Sequence, residues 1–142
     1  MTALEKTLYT AHGHATGGRE GQAATDDGKL NVKLTPPKEM GGSGEGLNPE
    51  QLFAAGYSAC FLGATKFVAK GMGVTVPNDA RVDAAVSIGP IPGGFGLAVE
   101  LKVSMPGLDK ATVQKLADEA HAKVCPYSNA TRGNVDVKVT VA

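Results

Sequence analysis

The chain has no surplus of charge: Lys and Arg number 14, Asp and Glu number 14, and the formal net charge is zero. A nucleic-acid-binding face needs clustered positive charge, so that class is excluded, and no membrane partner is implied. Zero net charge also removes self-repulsion, which is compatible with self-association. Only two cysteines occur in 142 residues, and they do not form a C-x-x-C pair; thioredoxin-like chemistry and a zinc ribbon are both disfavoured. The first residues, Met1-Thr-Ala-Leu-Glu-Lys-Thr7, place an acid and a base where a signal peptide needs an unbroken apolar core. No apolar run reaches the roughly 20 residues of a transmembrane helix, so the expected location is cytoplasmic. In a reducing compartment, two cysteines point to redox activity rather than to a structural staple. There is no internal repeat, and no Gly-Lys-Ser/Thr follows the glycine-rich stretch at 41–46, which excludes a phosphate loop.

What is present describes one soluble globular domain over residues 1–142, with 42% hydrophobic and 20% charged residues. The first third reads as strands. Residues 6–15 have a partial period of two, Gly17-Gly18 marks a turn, and residues 19–25 form a short segment. Asp26-Asp27-Gly28 is a hairpin signal before the alternating residues 30–34. Residues 35–47, with Pro36-Pro37 and the glycine run, read as a mobile loop. Asn48 then caps a helix with Pro49 at its first position and Glu50 in its first turn, running to about Lys70 and stopping at Gly71 and Gly73. This helix is apolar on nearly every side, and a helix hydrophobic all round is buried all round; a partner subunit is the natural cover. Residues 81–88 and 97–104 alternate around a turn at 89–96, as an antiparallel hairpin with one covered face does. Asp109 caps a second, one-sided helix through Val124, with Leu108 and Val113 placed as a hydrophobic staple, and Pro126 ends it. Residues 135–141 form a last alternating strand. The class is α+β, antiparallel sheet packed on helices.

Cys60 sits in mid-helix, where it gets no help from a helix dipole. It is either an inert packing cysteine or a reactive thiol, and reactivity in apolar surroundings needs a nearby cation. Arg19, Arg81 and Arg132 are the candidates, and pattern alone does not choose among them. Arg19 stands between glycines whose flexibility would let its guanidinium swing into a pocket; otherwise it is a solvated turn residue. Cys125, at a helix C-terminus where the dipole is negative, should be the poorer thiolate. It suits a resolving role, or simple packing. Glu50 either stabilises its helix start or holds an arginine. Ten residues, roughly 15 Å of helix, separate it from Cys60, so one arginine cannot easily bridge both. Either the helix starts late or the carboxylate comes from a second subunit; we expect the second. His12 and His14 share a strand face and with His121 could bind metal, but nothing else supports a metal site and plain surface histidines give the same pattern. Tyr127, Ser128 and Asn129 shape a pocket or close a turn.

The segments Asn48-Pro-Glu-Gln-Leu-Phe-Ala-Ala-Gly-Tyr-Ser-Ala-Cys60-Phe61 and Val124-Cys-Pro-Tyr-Ser-Asn-Ala-Thr-Arg132 closely resemble the organic hydroperoxide resistance proteins (Ohr) of the OsmC-like superfamily. Thr16-Gly-Gly-Arg19 and Glu39-Met-Gly-Gly42 are similar too, and the resemblance covers essentially the full length. It implies a single OsmC/Ohr-like domain, an OsmC-like fold with antiparallel sheets around two long helices, and an intertwined homodimer. It further implies a thiol-dependent peroxidase acting on organic hydroperoxides, including those of fatty acids. By the same resemblance Cys60 is the peroxidatic thiolate, Cys125 the resolving thiol, Arg19 the activating cation and Glu50 the carboxylate that orients Arg19. The reductant is a dihydrolipoyl group on a lipoylated protein, and no metal, haem or flavin is implied. Leu62 stands where many members carry a polar residue such as His or Gln.

On this reading an apolar wall of Phe53, Phe61 and Leu62, with Tyr127 nearby, favours hydroperoxides with hydrocarbon bodies over hydrogen peroxide, since apolar burial scales with hydrocarbon area. Three other readings stay open: a non-catalytic redox sensor, an OsmC-type peroxidase of broader range, which the Cys125 segment disfavours, and a metal-binding protein using His12, His14 and a cysteine.

Overall fold

The computed structural model describes residues 1–142. The chain divides into two compact units, Met1–Pro49 and Glu50–Ala142. Residues of the smaller unit form a three-stranded antiparallel sheet of β1 (Gly13–Thr16), β2 (Gln22–Thr25) and β3 (Asn31–Lys33). The expected strand over 6–15 shrinks to its last residues. Its antiparallel partner β2 pairs Gly13 with Thr25 and then gives way to the turn closed by the Gly28 amide on the Thr25 carbonyl, so earlier residues have no strand to pair with. Leu4, Leu8 and Tyr9 are consequently exposed.

Two glycine-dependent features of this unit differ from expectation. Arg19 sits in a one-turn 3-10 helix, Gly18–Glu20. Gly17 and Gly18 have φ of 69° and 58°, and a Cβ on Gly21 would fall 1.8 Å from the Thr16 carbonyl oxygen. These glycines are required by the tightness of the turn, not by a need for flexibility. The loop over 35–47 is also well held. Gly42 and Gly44 donate to the carbonyls of Pro37 and Pro36, Thr35 to that of Leu47, and Leu47 to that of Lys33, while the Gly46 amide donates to the Thr35 hydroxyl.

The larger unit follows the helix–strand–strand–helix–strand order read from the sequence, with one further short helix before the last strand. Helix α1 (Pro49–Gly71) has Asn48 at its N-cap position and Pro49 at N1. Just beyond its end Gly73, with φ of 69°, turns the chain so that the Val74 amide reaches the Ala69 carbonyl. By length and composition alone α1 could cross a membrane, although Gln51, Lys66 and Lys70 interrupt its apolar run. Its inner face instead carries Tyr57, Phe61, Ala64, Val68 and Ala69 into the core.

Strands β4 (Arg81–Ile91) and β5 (Gly94–Ser104) form the expected antiparallel hairpin. Val99, Leu101 and Val103 of β5 alternate into the core. Strand β6 (Asp136–Val141) lies beside β5 in parallel, because the chain crosses over through two helices between them. The first is α2 (Lys110–Glu119), capped by the Asp109 carboxylate on the Thr112 amide at 2.8 Å, with Val113, Leu116 and Ala117 buried against the sheet. A π-helical turn, Ala120–Val124, continues it. The second is α3 (Pro126–Thr131), a helix not anticipated from sequence.

Candidate active site

The site is assembled where α1 passes the junction of the π turn and α3. The Cys125 amide donates to the Ala120 carbonyl, five residues back, and such π geometry is frequent at functional sites. Pro126 then forces the preceding residue out of helix, and Cys125 has φ −67° and ψ 118°. Pro126 also starts α3 as its N1 residue. Cys125 thus lies at the end of one helix and at the N-cap of the next, so the purely negative dipole environment expected for it does not hold. Proline directly after Cys125 was the signal for a new helix start.

This arrangement points Cys125 at Cys60. Both cysteines are free, and their sulfurs stand 3.7 Å apart. Cys125 is fully buried and Cys60 partly exposed. Burial pushes the Cys60 thiol above its ordinary pKa, and the neighbouring Cys125 adds to the rise; the backbone amide of Tyr127 pulls the other way. The start of α3 therefore sets an amide against the rise in the Cys60 pKa.

Aromatic rings surround the pair. Phe53 packs edge-on against Tyr57 with ring centroids 5.9 Å apart and at the same distance from Tyr127. The ring of Tyr127 is partly exposed. Gly56 makes room for it: a Cβ there would lie 3.2 Å from the Tyr127 hydroxyl. Phe61, expected on the accessible wall, is fully buried between Tyr57 and His121. Helical periodicity turns it inward, one residue on from Cys60. Accessible apolar surface near the thiols falls to Phe53 and Tyr127, with Leu62 half-buried on α1.

Arg19 lies on the smaller unit and is half-buried. Glu50 lies in the first turn of α1, ten residues and so roughly 15 Å of helix from Cys60. Since α1 begins at Pro49, a late helix start does not shorten that distance. Arg81 is engaged by Asp83 at 2.7 Å. Arg132 donates to the His121 carbonyl at 2.5 Å and to Asn129 at 2.9 Å. No three His, Cys, Asp or Glu side chains cluster as metal ligands would; His14 is 2.9 Å from Asp26, and His121 is 2.8 Å from Ser128.

Residues 42–140 match the family described as OsmC-like protein. The organic hydroperoxide resistance protein of Xanthomonas axonopodis pv. citri (strain 306) is 58% identical over 143 residues, covering 100% of both chains. Organic hydroperoxide resistance protein OhrB of Bacillus subtilis (strain 168) is 43% identical, covering 93% of this chain and 96% of its own. The crystal structure of that OhrB superposes with a TM-score of 0.86 at 44% identity, covering 96% of this chain and 100% of its own. The thiocyanate-bound organic hydroperoxide resistance protein of Elizabethkingia anophelis superposes with a TM-score of 0.89 at 50% identity, covering 96% and 98%.

Proposed function

Because the chain belongs to the organic hydroperoxide resistance proteins of the OsmC-like family, we propose that it is a cysteine-based peroxidase. It reduces organic hydroperoxides, those of fatty acids among them, to alcohols and so protects against oxidative stress. The observation that supports this reading is the pair of free thiols, 3.7 Å apart, one buried and the other partly exposed.

The Cys60 thiolate attacks the distal peroxide oxygen. A sulfur–oxygen bond forms as the oxygen–oxygen bond breaks, the alkoxide leaves and takes a proton as the alcohol, and Cys60 becomes a sulfenic acid. Cys125 then attacks the Cys60 sulfur, water departs, and a disulfide joins the two. An external dithiol, a dihydrolipoyl group on a lipoylated protein, reopens it by two exchanges and is itself oxidised to the cyclic disulfide. No metal or bound cofactor takes part. Burial raises the Cys60 pKa, so the thiolate requires a cation: Arg19 supplies it and also stabilises charge on the leaving oxygen. Glu50 orients Arg19. The distance from Glu50 to Cys60 along α1 calls for a site completed by a second chain, and the working unit is a homodimer in the cytoplasm. Phe53, Leu62 and Tyr127 offer apolar surface to the hydrocarbon part of the substrate.

Single-turnover measurements on Cys60→Ser and Cys125→Ser variants, with cumene hydroperoxide and hydrogen peroxide in parallel, test the reading. The first variant should consume no peroxide. The second should react once and then over-oxidise or stall. The wild type should turn over repeatedly with dihydrolipoamide and prefer the organic peroxide. Equal efficiency on both peroxides would contradict the apolar-wall argument, and peroxide consumption by Cys60→Ser would refute the mechanism.

A further inference from the structure

Tyr57 stands three residues before Cys60 on α1, and Ser128 stands three residues after Cys125 on α3. Both are fully buried, and the Tyr57 hydroxyl lies 2.9 Å from the Ser128 Oγ. The contact belongs to a longer chain. His121 Nδ1 is 2.8 Å from Ser128 Oγ, and the Tyr57 hydroxyl is also 3.2 Å from Thr131 Oγ1. The Thr131 hydroxyl in turn donates to the Tyr127 carbonyl at 2.9 Å. Proton counting gives this chain one direction. With Thr131 giving its single proton to the Tyr127 carbonyl and every contact kept as a hydrogen bond, Tyr57 donates to Thr131, Ser128 to Tyr57, and His121, protonated on Nδ1, to Ser128. The relay ends on the carbonyl of Tyr127, the second residue after Cys125.

We infer that Tyr57 and Ser128 are positioning residues for the thiol pair: their buried hydroxyl bridge ties the segment carrying Cys125 and the Tyr127 amide to the helix carrying Cys60. The inference rests on the peroxidase reading for its role in turnover, but the geometry it assigns concerns the thiols themselves. Geometry three residues to either side of the sulfurs sets how often they meet. Closing the disulfide competes with attack by a second peroxide molecule, which would carry the sulfenic acid on to sulfinic acid. A bridge that keeps the sulfurs together therefore protects the protein from its own substrate. Burial excludes water from the Tyr57–Ser128 contact, so a lost hydroxyl leaves a polar group with no replacement partner.

The test compares wild type with Tyr57→Phe, Ser128→Ala and Ser128→Thr, the last of which retains the hydroxyl. Three quantities are read. The first is the effective concentration of the two thiols, from the equilibrium of the Cys60–Cys125 disulfide with reduced and oxidised glutathione. The second is the ratio of sulfinic acid to disulfide after exposure to cumene hydroperoxide, by mass spectrometry. The third is the pH midpoint of Cys60 alkylation in a Cys125→Ser background. Tyr57→Phe and Ser128→Ala should lower the effective concentration about tenfold and raise the sulfinic fraction by a similar factor. They should also move the alkylation midpoint upward as the amide contact loosens, and Ser128→Thr should restore the wild-type values. A nitrogen-15 spectrum should show the Nδ1–H form of His121. If Tyr57→Phe fails to fold, Ser128→Ala gives the same readings from the other side of the bridge. Variants that melt at lower temperature yet keep wild-type values in all three measurements would reduce the bridge to packing and overturn the inference. If wild type consumes no peroxide, the peroxidase reading falls, while glutathione equilibration and alkylation still decide whether the bridge positions the thiols.

Discussion

Cys60 is discouraged from ionising by its burial and by Cys125, and encouraged by one amide; the sum leaves room for a cation such as Arg19 to decide its reactivity. His121, at the head of the hydroxyl chain, has its pKa held below the usual histidine value, first by burial and then by the charge of Arg132, with Asp118 opposing. A histidine kept neutral in the folded state contributes stability that is fully present above the ordinary value of 6.5. That contribution is lost as pH falls toward the depressed folded value, because the unfolded chain takes up the proton first. The melting temperature should therefore drop between pH 7 and pH 5, and the drop should be shallower in His121→Gln; equal slopes would remove His121 from the account. At this scale the two cysteines and their neighbouring motifs were legible in the sequence. The fully buried position of Phe61 was not, since a helix apolar on nearly every side does not say which side faces the sheet.

Among the elements, the junction of the π turn and α3 does most to shape the site. Pro126 holds Cys125 extended, and alanine there would free residue 125 to continue the helix. Pro126→Ala should lower stability by about 0.5–1 kcal/mol and slow disulfide closure severalfold in stopped-flow measurements after stoichiometric peroxide; unchanged closure would show that the π turn suffices alone. The helices α1 and α2 and the hairpin β4–β5 could be read from capping residues, glycine stops and alternation. Three things could not. The π turn follows from tertiary packing, with Ala120 buried and Cys125 drawn inward, and no local propensity announces it. The short α3 was masked by a motif that also reads as a turn. The parallel placement of β6 depends on the crossover and not on the strand's own pattern, which is the same for either direction.

For the whole molecule, the outward side of α1 is the feature that one chain does not account for. Phe67 is 70% exposed and Met72 43%, and both line a groove of about 980 Å³ between α1 and α2. The all-round apolar character of the helix led to the expectation of a second subunit, and a homodimer as proposed would cover this surface. Phe67→Glu should weaken self-association by about 2 kcal/mol or more, seen as a shift toward monomer in sedimentation velocity; an unchanged profile would place the contact elsewhere. The unequal burial of the two sulfurs has a consequence for recycling. Once the disulfide has formed, an incoming dithiol can approach the Cys60 sulfur, which is partly open, whereas Cys125 is sealed inside the protein. In the proposed cycle regeneration would then have a fixed polarity: the mixed disulfide would form at position 60, Cys125 would depart as the leaving group, and the reductant would meet the same sulfur, through the same opening, that the oxidant met before it.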